Sequence, residues 1–167
     1  MDNLRPHRSF VSYIDRSREY YAAQGYSRPY AWAHHDSVPF TPLPRPLSGC
    51  RVGLVTTTGR TPSEGLIGAG GLMRGPYAEP ANPPPQSMFT NDLFWDKNAT
   101  HTNDIDSFLP INRLAEKAGE GLIGSASPRF YGVPTDYSQS RTSQSVAPQL
   151  LEWCREDDVD AVILLAL

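Results

Sequence analysis

Two continuous apolar stretches, RVGLVTT at 51–57 and DAVILLAL at 160–167, limit most strongly how this chain can fold. Both are rich in aliphatic residues and too short to cross a membrane. Neither shows the alternation of a strand that has one solvent-facing side. Strands that are apolar on both faces belong inside parallel sheets covered by helices. The two stretches therefore predict neighbouring, or nearly neighbouring, strands of one parallel sheet.

Helical patterns accompany these strands. Residues 110–118 predict a helix with one apolar face, formed by Ile111, Leu114, Ala115 and Ala118. A last helix is predicted from about 146 to 156, with Ser145 as its N-cap, and it leads directly into the second strand. Helix-then-strand units are typical of parallel sheets. We therefore expect a three-layer α/β fold, Rossmann-like or flavodoxin-like, in which helices flank a mainly parallel sheet.

The domain organisation follows from a count of strands. Residues 1–49 predict a helix at 9–24 and then a proline-rich arm, whereas residues 50–167 carry the α/β core. Only two strand patterns are clear and two more are weak, whereas sheets average about five or six strands. The sheet is therefore expected to be incomplete in this chain. Residues 1–167 are either a single α/β domain that a partner completes or the N-terminal half of a longer domain.

Charge and targeting signals exclude several classes of partner. Lysine and arginine number 15 against 18 aspartate and glutamate residues, for a net charge of −3, which offers no electrostatic basis for binding nucleic acid or an anionic membrane. No apolar run approaches the roughly 20 residues of a membrane span. The first ten residues lack the apolar core of a signal peptide, so a cytoplasmic location is expected. Cys50 and Cys154 are then expected to be reduced and structural.

The residues that follow the first strand are candidates for substrate binding. They are Thr56, Thr57, Thr58 and Gly59. Ligands of open α/β sheets bind beyond the carboxyl ends of the strands, which is where these residues lie. Backbone N–H groups of the glycine-rich stretch 56–71 could also hold an anion or carboxylate. Pro62 and Pro76 interrupt the helix that a dinucleotide fingerprint requires, so a nucleotide site is disfavoured. A loop that contacts a small-molecule substrate and an ordinary flexible loop both stay open.

Other polar residues are weaker candidates. The segment 92–106 contains five hard-ligand types: Asp92, Asp96, His101, Asp104 and Asp106. Their spacing fits neither an EF-hand nor an HExxH helix, so they are interpreted as solvated loop residues and no metal site is predicted, although a metal-dependent enzyme stays as an alternative. Ser125 and Ser127 lack the GxSxG of a nucleophile elbow, so no catalytic residue is predicted. Arg113 could clamp a substrate carboxylate, or it could simply face solvent.

Three segments of the chain, taken in order, carry a family resemblance. They are 28–59, 107–132 and 147–167, and their most specific parts are PFTPLPRPL leading into RVGLVTT, and LPINRL followed by EGLIG. In this order they resemble the selenoprotein B family of glycine, sarcosine, betaine and D-proline reductases, from about residue 18 onward. Asp96, which follows Trp95, matches an aromatic–Asp pair of that family and becomes a further substrate-binding candidate. The 60–85 segment and the loop around Asp96 depart from the family pattern.

The resemblance implies a component of a reductase. In that family a selenocysteine, or a cysteine in relatives, attacks the carbon beside an amino nitrogen and cleaves the C–N bond. A pyruvoyl group on a partner subunit first activates the amine of the substrate. The nucleophile follows a strand that ends like DAVILLAL, so it is expected just after Leu167, and this chain alone is expected to be inactive.

The resemblance also implies partners. They are other reductase subunits or a chain that completes the fold. A selenocysteine codon read as a stop, proteolytic processing, or a gene that is naturally split would each explain a sequence that ends before the nucleophile. The alternative function is a non-catalytic binding or assembly subunit that a second chain completes.

Overall fold

The computed structural model describes residues 13–28, 36–38, 41–59, 75–88, 103–135 and 138–166. The chain divides into two compact units, Met1–Pro39 and Phe40–Leu167. In the first unit, helix α1 (Tyr13–Ala23) ends before Gly25, which adopts φ +84°. The N–H of Tyr26 donates to the carbonyl of Tyr21 at 3.1 Å, a bond typical of a glycine-terminated helix. The end of α1 is therefore as predicted, and its predicted start at residue 9 lies outside the described residues.

In the second unit, the described residues form a mixed, mostly parallel sheet of five strands. These are β1 (Arg51–Thr56), β2 (Tyr77–Pro80), β3 (Ser125–Ala126), β4 (Arg129–Gly132) and β5 (Ala161–Leu165). Strand β1 is central: β5 pairs in parallel along one side, and β3 and then β4 pair in parallel along the other. Strand β2 is antiparallel to β4. The prediction that the two apolar stretches are neighbours in one parallel sheet is confirmed.

Helices pack on both faces of this sheet. Helix α2 (Ile111–Gly119) packs on one face and α4 (Ala147–Glu156) on the other, while the short α3 (Gln139–Arg141) precedes α4 in the chain. Leu54 packs in a buried cluster with Ile111 of α2, while Val55 packs in a second cluster with Cys154 of α4. Successive residues of a strand point to opposite faces, so the two clusters lie on opposite sides of the sheet. The expected α/β architecture, a mostly parallel sheet flanked by helices, is confirmed.

Helix α2 presents nearly the face that its sequence predicts. Ile111 is buried and Leu114 packs against the same cluster, while the charged residues Arg113, Glu116 and Lys117 are exposed, as predicted. Ala115 is exposed as well, so the apolar face is narrower than predicted. The carboxylate of Asp106, in the preceding turn, accepts from the N–H of Asn112 at 2.9 Å and so satisfies one of the unpaired donors at the start of the helix.

Two local expectations are wrong. Strand β2 lies within residues 58–85, whose glycine- and proline-rich sequence predicts a loop, and it forms because its residues pair with β4. Ser145 is not an N-cap, because a π-helical turn (Thr142–Val146) joins α3 to α4 and places Ser145 inside the helical path. Ser138 takes that role instead: its Oγ accepts from the N–H of Arg141 at 3.3 Å.

Strand β5 exposes apolar surface. Val162, Ile163 and Leu164 are 41%, 42% and 72% exposed. Because side chains alternate along a strand, three consecutive exposed residues mean that both faces of β5 are open in this chain. The expectation that the sheet is incomplete in this chain stays a prediction.

Candidate functional site

The carboxyl ends of β1, β4 and β5 meet at one edge of the sheet. The N–H of Thr57 donates to the carbonyl of Leu165 at 3.2 Å, and the N–H of Val133 donates to the carbonyl of Thr56 at 2.9 Å. The chain that leaves β1 therefore runs between the ends of β4 and β5. Ligands of open α/β sheets bind at such an edge. We call residues 56–59 the carboxyl-edge site.

Two of the four candidate residues in this site point inward. Thr56 and Thr58 are buried, and their hydroxyl oxygens lie 2.8 Å apart. The N–H of Thr58 also donates to Oγ1 of Thr56 at 3.1 Å. Hydroxyls that bond to each other and to the backbone hold a turn in shape. Thr57 and Gly59 are partly exposed, so they form the surface that a substrate would contact.

Tyr77 closes the site from the side of β2. Its buried ring carries a hydroxyl that donates to the carbonyl of Thr58 at 2.7 Å. Sequence reasoning missed this residue because it lies in the stretch predicted to be a loop. The tyrosine and the alanine after it form too short a pattern to mark a strand, and only pairing with β4 brings the ring to Thr58.

The two remaining candidates lie elsewhere. Asp96 is outside the described residues. Arg113 lies on the exposed side of α2, with a side chain 62% exposed, and its Nη1 is 2.7 Å from Glu116. Its Nε is 3.7 Å from a carboxylate oxygen of Asp106. Because both acids already neutralise this guanidinium, a role in holding a substrate carboxylate stays a prediction.

Neither cysteine supplies a nucleophile to the carboxyl-edge site. Cys50 immediately precedes β1, at the other end of the sheet, and its Sγ lies 3.3 Å from the carbonyl oxygen of Arg45. Cys154 is buried on α4, and this burial raises the pKa of its thiol. A raised pKa keeps the thiol protonated at neutral pH, and the thiolate is the reactive form. Both cysteines are free, as expected of reduced residues.

The burial of both thiols predicts slow chemical modification. In the native protein at pH 8, Cys50 and Cys154 should react with iodoacetamide at least about tenfold more slowly than in the urea-unfolded chain. Peptide mass spectrometry at timed intervals measures both rates. Labelling of Cys154 in the native protein as fast as in the unfolded chain would contradict its assignment as an inert core residue.

A second polar network holds the opposite end of the sheet. Oδ2 of Asp157 accepts from the hydroxyl of Tyr131 at 2.6 Å and from Nε of Arg129 at 2.7 Å. Arg129 also donates to Glu156 at 2.8 Å. Burial, and then the bond to Asp157, raise the pKa of Tyr131 well above its ordinary value. These contacts fasten the turn between α4 and β5 to β4, and sequence patterns gave no sign of them.

Comparisons of the chain with protein-family models, with curated proteins and with solved structures find no match. The function is therefore inferred from the geometry of the carboxyl edge and from the resemblance of the sequence segments.

The acidic segment shows no metal site in its described part. Asp104 accepts from the N–H of Asp106 at 3.1 Å, and Asp106 in turn bonds to the start of α2. Both acids thus stabilise turns, while Asp92, Asp96 and His101 lie outside the described residues. Across the described ranges, no group of three histidine, cysteine or acidic residues is placed to hold a metal ion.

No helix within the described ranges is long and apolar enough to span a bilayer.

Proposed function

We propose that this chain is the α/β portion of a selenoprotein B-like reductase component, with a three-layer, Rossmann- or flavodoxin-like domain. The reaction is cleavage of a C–N bond in a small amino-acid-like substrate. The observation that carries the proposal is the pairing of β5 with β1 up to Thr56 and Leu165, which brings the carboxyl end of β5 beside Thr57. The resemblance expects the nucleophile just after Leu167, and hence near this edge of the sheet.

The chemistry requires a soft nucleophile that is ionised at neutral pH. A selenolate or thiolate bonds to the carbon, and the amine leaves with the electron pair of the C–N bond. A dithiol supplies the two electrons needed to release the product. By resemblance, a pyruvoyl group on a partner subunit activates the amine. Within this chain, Thr57 and Gly59 would position the substrate, and the buried turn of Thr56 and Thr58 would hold them in place.

The two cysteines support the proposal that this chain contributes to substrate binding and does not supply the nucleophile. Cys154 carries a thiol whose raised pKa opposes ionisation, and Cys50 precedes the strand whose far end forms the carboxyl-edge site. A threonine hydroxyl has a pKa far above neutral and is a harder nucleophile than a thiolate or selenolate. The nucleophile of the proposed reaction therefore comes from outside residues 1–167.

A second candidate function is a non-catalytic binding or assembly subunit completed by another chain. The exposed apolar side chains of β5 favour it, above all Leu164. An apolar strand that lies open at a sheet edge is suited to pairing with a further strand. In this alternative the second chain carries the nucleophile.

The messenger RNA beyond the codon of Leu167 separates the two functions. An in-frame UGA or cysteine codon followed by further coding sequence supports the reductase component. A separate downstream start codon supports the two-chain alternative. Mass spectrometry of the protein isolated from its source would show which of the two is made.

Activity provides the direct test. A chain extended by that sequence, together with its partner subunits, should reduce glycine, betaine, sarcosine or D-proline with a dithiol donor, whereas residues 1–167 alone should be inactive. The matched control carries serine at the first position after Leu167. Turnover by residues 1–167 alone that survives Cys50→Ser and Cys154→Ser would overturn the proposal.

A further inference from the structure

A second cleft lies at the end of the sheet opposite to the carboxyl-edge site. It opens where β1, β3 and β5 begin and has a volume of about 630 Å³. Three arginine residues are among those that line it: Arg45, Arg51 and Arg155. Small-molecule sites typically span roughly 300–1,000 Å³, so the cleft is large enough for a metabolite.

The charges in this cleft do not cancel. Asp160 accepts from Nη2 of Arg45 at 3.2 Å and from the backbone N–H of Arg51 at 2.9 Å. The carboxylate of Asp158 lies 3.7 Å from Nη1 of Arg51. Each carboxylate in the lining thus already has an arginine partner. Arg155 has no side-chain hydrogen bond or ion pair to any residue in the described ranges, so the lining carries one uncompensated positive charge.

Hydrogen-bond donors accompany that charge. Oγ of Ser125 accepts a hydrogen bond from Nε of Arg51 at 3.2 Å. The hydroxyl proton of Ser125 has no acceptor among the described residues and can therefore be donated to a ligand. Arg51 is itself fixed, because its Nη1 donates to the carbonyl of Asp157 at 2.6 Å. Arg51 and Ser125 are therefore positioned by contacts within the protein.

Two glycines form part of the wall of the cleft. A Cβ atom at Gly124 would meet the carbonyl carbon of Gly49 at 2.6 Å, so these two backbones pack directly on each other. Both glycines line the cleft. Only glycine at position 124 permits so close an approach of the two backbones.

We propose that this cleft is a binding site for a small oxyanion, a phosphate or a carboxylate group. The planar guanidinium of Arg155 can donate hydrogen bonds to two oxygens of such a group side by side. The hydroxyl of Ser125 can donate a further hydrogen bond to an oxygen of the anion. A cation would meet the uncompensated charge of Arg155. The site is separate from the carboxyl edge and does not depend on the reductase chemistry proposed above.

Binding of inorganic phosphate and of succinate to residues 1–167 tests this site. Isothermal titration at low ionic strength should show saturable binding of at least one of the two anions. Arg155→Gln should weaken that binding by about tenfold or more, because one charge-assisted pair of hydrogen bonds is lost. The unfolding midpoint should not change, since the side chain of Arg155 has no described partner to lose.

The matched control is Arg16→Gln, an exposed arginine of α1 in the other compact unit. This variant should bind the anion as the parent chain does. Preference for phosphate or for succinate then assigns the ligand class. Three results would each contradict the proposed site. They are the absence of saturable binding, binding that is unchanged in Arg155→Gln, and a loss of binding in Arg16→Gln equal to that in Arg155→Gln.

Discussion

Replacing Asp157 by asparagine should lower the free energy of unfolding by about 3 kcal/mol, since the buried hydroxyl of Tyr131 and the partly buried guanidinium of Arg129 each lose their bond to a carboxylate. The Asp157 carboxylate is 11% exposed and lies 2.7 Å from Arg129. It also accepts a hydrogen bond at 2.6 Å from the hydroxyl of Tyr131, which is a fully buried residue. Asparagine keeps the size of the side chain but loses its charge. Urea unfolding at pH 7 measures the difference.

The neighbouring residue provides a matched control. Asp158 undergoes the same substitution, but its carboxylate is 88% exposed and lies 3.7 Å from Arg51. Its φ of +52° is in the left-handed region, which asparagine adopts readily. Asp158→Asn should therefore change the stability by less than about 0.5 kcal/mol. Equal losses in the two variants would show that the network around Asp157 does not hold the turn.

The elements that the sequence predicts are those whose pattern is local. Strands β1 and β5 are continuous apolar runs, and α2 carries a helical repeat, so the local sequence pattern is enough to predict each of them. Strands β3 and β4 were not predicted, because two and four residues are too few to show a period. They form where the chain pairs with β1, and such tertiary pairing overrides local preference.

For the candidate site, the sequence predicts the position in the sheet but not which side chains are buried. That residues 56–59 leave the end of a strand follows from the sequence, and this places them at the carboxyl edge. That Thr56 and Thr58 turn inward does not follow from it. Their burial depends on Tyr77, which comes from another strand to bond to the carbonyl of Thr58. The position of a site can thus be inferred from one strand, whereas its exposed surface is decided by partners from the rest of the sheet.

Gly132→Ala should lower the free energy of unfolding by about 3 kcal/mol or more, at the upper end of what overpacking costs. A Cβ atom at Gly132 would overlap the ring of Tyr77. That ring is buried, and its hydroxyl is fixed to Thr58, so the ring cannot swing away without breaking the bond. It also packs edge-on against Phe130, with 6.1 Å between the ring centroids. Urea unfolding of the variant measures the loss.

Gly119→Ala is the matched control, because the same methyl group is added where no atom lies within 4 Å. Gly119 is the last residue of α2, and alanine there should leave the stability unchanged or raise it by up to about 1 kcal/mol. In Gly132→Ala, displacement of Tyr77 should also release the carbonyl of Thr58, so amide exchange at Thr57, Thr58 and Gly59 should accelerate more than exchange in α2. Equal free energies of unfolding for Gly132→Ala and Gly119→Ala would mean that the ring of Tyr77 can move aside without loss of stability. In that case the turn that shapes the carboxyl-edge site would be held by Thr56 and Thr58 alone.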